Sequence, residues 1–336
     1  MQRHEAIIPI QVVKDQFKRA AVILRQGGVV AFPTETVYGL GARGFDGEAV
    51  ARIFSIKGRP FDNPLIVHIA EQEQLRLLTS EVTATADELI KTFWPGPLTL
   101  VLKRLDAVPA IVSAGLSTIA VRMPSHPMAL ALIRELNEPI AAPSANRSGR
   151  PSPTSARTVR EELGTSVDFI LDGGPCAVGL ESTVLDLTAS PPRILRPGAI
   201  AVEALRDVLG AVTSYIKNSI SVGSPGLKYG HYAPALKLVL VEPDEWQTVM
   251  EEALQLGKRL GTICRYKKGE AENFLPLRPC NYNRVMTDLA DYAKNLFAAF
   301  YEAEAAGVEV LFVEKVAQEG LGVAIMDRLE RAAALR

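Results

Sequence analysis

The sequence predicts two α/β domains: a large, mixed, twisted sheet covered by helices and then, beyond a linker, a small parallel sheet. Three observations carry this reading. Short apolar runs alternate with helically spaced segments through the first two-thirds of the chain. A Ser/Gly/Pro-rich stretch interrupts the alternation near residues 211–234. Past that break, strand and helix patterns alternate again in a compact, repeated order. At 336 residues, 48% hydrophobic and 22% charged, the chain is long enough for two buried cores and too apolar to be disordered.

In chain order, residues 14–25 have helical spacing and stop at Gly27-Gly28, a C-cap signal. Residues 29–32 then read as a buried strand, 49–56 as a helix and 65–69 as a strand. A helix over 86–93 is broken by Trp94-Pro95-Gly96-Pro97 before a strand at 98–102. Further strands are predicted at 118–122, 140–142, 169–171, 183–187 and 193–195. Ser219, Ser221, Gly223, Ser224, Pro225, Gly226 and Pro234 mark the linker. Beyond it come strand 238–241, helix 245–257, strand 262–265, helix 288–306, strand 309–313 and helix 324–334. That order predicts a small Rossmann-like parallel sheet. The expected division is therefore a first domain over 1–210, a linker over 211–235 and a second domain over 236–336.

Composition excludes some classes of function. With 37 Lys+Arg against 38 Asp+Glu, the net charge of −1 argues against a protein held to nucleic acid by bulk charge. Cys176, Cys264 and Cys280 form no CxxC pair, and with four histidines a zinc site is not expected. Unpaired thiols fit a reducing compartment. The first residues lack the apolar core of a signal peptide, and no apolar run reaches membrane-spanning length. A soluble, cytoplasmic protein is expected.

Gly39-Leu40-Gly41-Ala42-Arg43-Gly44 matches G-x-G-x-x-G, but the preceding strand ends at Phe32 and the next helix begins only after Gly47. A flexible loop is expected there rather than a dinucleotide site. No P-loop, G-x-S-x-G elbow or H-E-x-x-H is present. His68 with Ser144 or Ser182 would make a nucleophile–base pair, although a lone strand histidine is more often structural. Thr34 and Thr36 directly follow a buried strand, at the sheet edge where α/β proteins hold ligands. Lys57 and Arg59 flank Gly58 just past a helix. They suit a polyphosphate, or are two solvated charges complementing the helix dipole. Ser144 and Asn146, again after a strand, offer a hydroxyl and an amide to a phosphate, or form an Asx/Ser turn. Glu181-Ser182-Thr183 and Arg196-Pro197-Gly198 complete the set. Hydroxyls and cations on several strand ends suggest a phosphate-bearing substrate held by hydrogen bonds.

Taken together, PTETVYGL (33–40), KGRPFDNPLIVH (57–68), WPGPLT (94–99), VRMP (121–124), PSANRSG (143–149), ESTV (181–184) and RPGAI (196–200) closely resemble the threonylcarbamoyl-AMP synthases, the YrdC-like family. SPGLKYGHYAP (224–234) and GLGVAIMDRL (320–329) resemble the linker and C-terminal signatures of the family's long, two-domain form. Leu227 and Gly230 stand where the linker usually has Met and Arg. The resemblance covers nearly the whole chain. It implies an N-terminal YrdC-like catalytic domain and a nucleotidyltransferase that makes L-threonylcarbamoyl-AMP and pyrophosphate from L-threonine, bicarbonate and ATP. The product would pass to a separate transferase complex that modifies tRNA, with direct tRNA binding weak or absent.

By the same resemblance, Lys57 and Arg59 are the candidate catalytic residues. Thr36, His68, Arg122, Ala142 and Ser182 would bind L-threonine. Lys57, Arg59, Asn63, Thr118, Ser144, Asn146, Ser152, Arg196 and Tyr232 would bind ATP. Mg²⁺ would ride on the ATP phosphates, with no dedicated protein metal site. The linker, through Tyr232, is expected to fold over the nucleotide as a lid. Two other readings stand beside this one. The first is a non-catalytic RNA-binding module using Lys57, Arg59, Arg147 and Arg150. The second is a sensor that binds ATP and threonine without turnover.

Overall fold

The computed structural model describes residues 10–213, 231–265 apart from 254 and 256, and 280–334. The N-terminal part contains α1 (Ile10–Arg25), β1 (Val30–Phe32), β2 (Gly39–Arg43), α2 (Gly47–Lys57), β3 (Ile66–His68), α3 (Ala84–Phe93), β4 (Leu98–Lys103) and β5 (Thr118–Arg122). It continues with α4 (Pro127–Leu136), β6 (Ile140–Ala142), α5 (Ala156–Leu163), β7 (Phe169–Ile170), β8 (Thr183–Asp186), β9 (Arg193–Arg196) and α6 (Val202–Leu209). The C-terminal part contains β10 (Lys237–Val241), α7 (Trp246–Ala253), β11 (Leu260–Arg265), β12 (Tyr282–Met286), α8 (Leu289–Ala305), β13 (Val310–Glu314) and α9 (Leu321–Ala333). Most of the expected linker, including Ser219 to Gly226, Leu227 and Gly230, lies outside the described residues.

The first sheet has nine strands in the order β7-β1-β2-β6-β3-β5-β4-β8-β9. It is mixed: β1/β7, β3/β5 and β4/β8 run parallel, and the other neighbouring pairs antiparallel. The second sheet, β10-β13-β11-β12, is parallel throughout. Both match the expected fold class. Helices α4, α5 and α6 and strands β2 and β12 were not anticipated. Helix α7 ends at Ala253, short of the expected 257.

Side-chain alternation along the large sheet builds its two faces. Leu65, Val67, Ile69, Leu98, Leu100, Ile119 and Val121 enter the main core, with Val50, Ile53 and Phe54 of α2 and Leu89 and Ile90 of α3. On the opposite face, α1 and α4 cover one end, packing Ala20, Leu24, Leu132 and Ile133 with Phe32 and Ile140. The rest of that face carries Ile66, Val101, Ala120 and Val184, a small apolar patch flanked by His68 and Arg122. Among the described residues, no helix of the large core packs with this patch. At one edge of it Ile66, His68 and Arg122 line a cavity.

The G-x-G-x-x-G segment corrects the flexible-loop expectation: residues 39–43 form β2, inside the sheet and largely buried. The glycines are there for packing. A Cβ on Gly41 would lie 2.6 Å from Ile140 Cγ2 and 2.7 Å from Phe32 Cε1, because the Phe32 ring crosses the strand. Gly41→Ala is expected to destabilise the domain by about 1–3 kcal/mol, the range for overpacking a filled core. Denaturant unfolding of the two proteins checks this, and an unchanged midpoint would refute it.

Candidate active site

Helix α2 shows how local sequence places the first functional side chains. Asp46 caps its N-terminus, accepting from the Ala49 amide at 3.0 Å, and Gly58 ends it in the left-handed region at φ 61°. Lys57 therefore sits on the last turn, and Arg59 comes next on a chain that has reversed direction. Lys57 Nζ donates to the carbonyls of Ser144 (2.6 Å) and Asn146, so it clamps the 143–149 loop to α2. Arg59 Nε and Nη2 donate to the carbonyls of Asn63 (3.1 Å) and Pro64 (2.9 Å).

These residues join a single cavity that opens to solvent. Its wall includes Thr36, His68, Arg122, Ala142, Ser182, Lys57, Arg59, Ser144, Asn146, Ser152, Arg196 and Tyr232, so most of the expected site residues converge. Two do not reach the wall. Asn63 is buried in the loop behind Arg59. Thr118 opens β5, on the same face as Ala120 and Arg122 but at the far end of the strand. Residues not assigned to threonine or ATP from sequence also line the cavity, among them Thr34, Arg150, Glu181 and His231. The ESTV motif was the available signal for Glu181, and the SPGLKYGHYAP segment was the signal for His231.

One half of the cavity is hydroxyl-rich around a buried guanidinium. Arg122 Nη1 donates to Thr36 Oγ1 (2.8 Å), Nε donates to the Gly96 carbonyl (3.1 Å), and Nη2 pairs with the Glu35 carboxylate at 2.5 Å. Thr36 Oγ1 in turn meets Thr34 Oγ1 at 2.8 Å, and Thr34 donates to the Val37 carbonyl. Ser182 Oγ accepts from Arg196 Nη2 (3.1 Å) and meets Thr99 Oγ1 at 2.7 Å. His68 is buried beside them with Nδ1 unpartnered. Burial, and then the Arg122 charge, lower its pKa to about 3, so it is a neutral imidazole at pH 7.

The other half is cationic. Lys57, Arg59 and Arg196 line this part, joined by Arg150, which is paired to Glu304 and Glu162, and the one carboxylate on the described wall is Glu181. Burial pushes Lys57 well below its ordinary value, with Arg59 adding to the effect. Arg59 comes down to about 10 through burial and then Arg196. Arg196 is lowered above all by burial, with Arg328 and Arg122 adding to it. A polyanion among these groups removes their mutual repulsion. Ser144 and Asn146 play a supporting part. Ser144 Oγ donates to Asn146 Oδ1, and the Asn146 amide donates to the carbonyls of Arg147 and Arg150, each at 2.8 Å. Asn146 thus braces its loop; its donors are committed there and do not point a free amide at a ligand, which corrects the simplest reading of the motif.

The RNA-backbone alternative loses its surface. Lys57 and Arg59 are buried. Arg150 is held by Glu304 through Nη1 and Nη2 (2.8 and 2.6 Å) and by Glu162 through Nε, while Arg147 Nε binds the Glu162 carbonyl.

His231 joins His68 in a testable pH effect, being held near 3 by burial and then by Arg59 and Lys57. An unfolded imidazole titrates near about 6.5. Between the two values the unfolded chain binds more protons, so stability is fully present above about pH 6.5 and falls as pH drops toward about 3. Each histidine contributes a slope of up to about 1.4 kcal/mol per pH unit. The melting temperature is expected to fall between pH 7 and 5, and less steeply in His68→Gln; parallel slopes would contradict the buried neutral imidazole.

Fold and cavity define a two-domain α/β protein in which a buried, hydroxyl-flanked guanidinium and a cluster of cations share one cavity. The Sua5/YciO/YrdC family, described as "Telomere recombination", matches residues 22–198. The family described as "Threonylcarbamoyl-AMP synthase, C-terminal domain" matches residues 200–334. The threonylcarbamoyl-AMP synthase of Pyrococcus abyssi is 45% identical over 327 residues, covering 94% of each chain. That of Bacillus subtilis is 44% identical, covering 95% of this chain and 93% of its own. A crystal structure of P. abyssi Sua5 complexed with L-threonine superposes with a TM-score of 0.88 at 43% identity, covering 96% of this chain and 95% of that one. The chain belongs to the threonylcarbamoyl-AMP synthase family, in its two-domain form.

Proposed function

We propose that this chain condenses L-threonine, bicarbonate and ATP into L-threonylcarbamoyl-AMP and pyrophosphate. The observation that carries the reading is the adjacency, within one cavity, of the Arg122–Thr36 pair and the Lys57–Arg59–Arg196 cluster. Arg122 takes threonine's carboxylate as a planar two-point donor. Neutral His68, with Ser182, receives the hydroxyl end, and Ala142 closes the pocket with small side-chain bulk. Threonine's amine adds to the carbon of bicarbonate with loss of water, giving a carbamate. The anionic carbamate oxygen then bonds to the α-phosphorus as the bond to the β-phosphate oxygen breaks, and pyrophosphate leaves. The nucleophile is already anionic, so no strong base is needed; Lys57, Arg59 and Arg196 align the reactants and screen charge.

Mg²⁺ enters as part of its ATP complex. Glu181, the one acidic side chain on the described wall, already accepts from Ser152 and Arg328, which leaves the phosphates as the metal's ligands. Ser152 and Tyr232 belong to the ATP half, and Asn63 and Thr118 join it once the nucleotide spans the cavity. The catalytic unit is residues 1–210, 211–235 is the linker, most of which lies outside the described residues, and 236–336 is the second domain; Tyr232 contributes to the cavity wall. Among the described residues no helix is long and apolar enough to cross a membrane. Cys176, Cys264 and Cys280 are all unpaired. These facts support a cytoplasmic setting, from which the product passes to a separate tRNA-modifying complex.

Incubation with MgATP, L-threonine and bicarbonate, omitting each in turn, tests the reaction. Pyrophosphate release that requires all three is expected. Binding of ATP and threonine without release would establish the sensor instead, and release from ATP alone would overturn the proposal.

A further inference from the structure

Arg328, on α9 of the C-terminal domain, is wholly buried. Its Nε donates to Glu181 Oε2 at 2.9 Å, across 147 positions of sequence, and its Nη1 donates to Asp327 at 2.7 Å. Asp327 also accepts from Arg331 at 3.0 Å. The other oxygen of Glu181 accepts from Ser152 Oγ at 2.5 Å. The Arg328 guanidinium carbon lies 5.3 Å from the centroid of the Tyr232 ring, on which Phe297 of α8 stacks at 5.4 Å. Glu181, Ser152 and Tyr232 all line the cavity.

The same stretch of wall is pressed from outside at two more points. Arg150 is bidentate to Glu304, and the Tyr301 hydroxyl donates to the Pro151 carbonyl at 2.7 Å, both partners belonging to α8. The wall is therefore a thin layer between the substrate space and the C-terminal helices.

We propose that Arg328 is a positioning residue for ATP: by neutralising Glu181 it lets a carboxylate stand on the wall of a polyphosphate cavity, and it holds Ser152 and Tyr232 in place. The C-terminal domain thereby forms part of the nucleotide site. A buried carboxylate facing a polyanion repels it unless a cation is attached, and removing one partner of a buried pair leaves the other uncompensated. Burial alone raises the pKa of Glu181, yet Arg328 and Arg196 outweigh it and hold it below the ordinary value. Glu181 is therefore ionised at neutral pH, and its charge needs this partner. ATP affinity and domain docking are coupled through this pair, and the coupling is reciprocal.

The inference rests on the reading of this cavity as an ATP site, and the test separates the two. Wild-type protein titrated calorimetrically with MgATP and, separately, with L-threonine sets the baseline; absence of ATP binding there would fail the functional reading itself. Arg328→Gln is expected to weaken ATP at least tenfold and to leave the Kd for threonine within about threefold, which also reports that the first domain is folded. The double variant Arg328→Gln with Glu181→Gln removes the orphaned carboxylate and is expected to recover most of the lost ATP affinity. Arg328→Lys keeps the charge with fewer donors and is expected to fall between wild type and Gln. It provides the comparison if Arg328→Gln does not fold. Equal losses for both ligands, unchanged ATP affinity in Arg328→Lys and Arg328→Gln, or no recovery in the double variant would each overturn the proposal.

Discussion

Replacing Lys57 by alanine is expected to lower the rate of ATP- and threonine-dependent pyrophosphate release by about 10²–10³-fold, about 3–4 kcal/mol in transition-state stabilisation. A lysine ammonium has three N–H donors. Two are committed to the Ser144 and Asn146 carbonyls, and in the proposed reaction the third serves the substrate. The substitution therefore removes a cation from the cavity wall and releases the 143–149 loop from α2. It also leaves two carbonyls without their partner. The Ser148 amide, which donates to the Lys57 carbonyl at 2.8 Å, keeps the loop tethered through the backbone, so folding is expected to survive. Steady-state pyrophosphate assays on the folded variant check this, and a rate within threefold of wild type would remove Lys57 from the machinery. The threonine Kd is expected to be nearly unchanged, because Arg122 and Thr36 are held by other elements.

Arg122→Ala is expected to have the second large effect, raising the threonine Kd by about 10²-fold or more. A lost charge-assisted hydrogen bond is worth about 1.5–3 kcal/mol, and a bidentate pair loses two. Arg122 also stands against Glu35, which becomes a buried carboxylate without its cation. Removing one partner of such a pair costs about 3–5 kcal/mol of stability. Two measurements therefore separate the roles. Calorimetry with L-threonine reports recognition, and thermal unfolding reports the Glu35 penalty. In Arg122→Ala with Glu35→Gln, the melting temperature is expected to return toward wild type while threonine binding stays weak. Arg122→Lys is expected to rescue binding poorly, because one ammonium cannot meet Gly96, Thr36, Glu35 and a carboxylate together. Threonine affinity unchanged in Arg122→Ala would place the carboxylate elsewhere.

Legibility of the site varied with the range of the interaction. Lys57 and Arg59 were readable as a pair because a helix ending in glycine is a local event, and Gly58 supplies the cap. The run Leu65 to Ile69 was readable as a strand but not as a two-faced one. Ile66 is apolar like its neighbours, so alternation is hidden, and only the sheet reveals that Ile66 and His68 floor a cavity while Leu65 and Val67 are core. Strand β2 escaped because its glycines read as loop; what makes them strand residues is the Phe32 ring lying across them, a contact that alternation cannot encode.

The sequence by itself determined the two α/β domains, the turn-rich break between them and the strand-end loops that carry hydroxyls and cations. Those features arise from backbone preference and from side-chain chemistry over a few residues. The tertiary structure decided which cations face a ligand and which are neutralised. Arg59 and Arg150 look alike in sequence, yet one hydrogen bonds loop carbonyls and the other is bidentate to Glu304. It also decided that Arg328 stands behind the cavity wall, where two charges far apart in sequence share one buried hydrogen bond. The physical reason is the same in both cases. The state of a buried charge is set by its partner and by the loss of water around it, and the chain creates both only when distant segments close on one another.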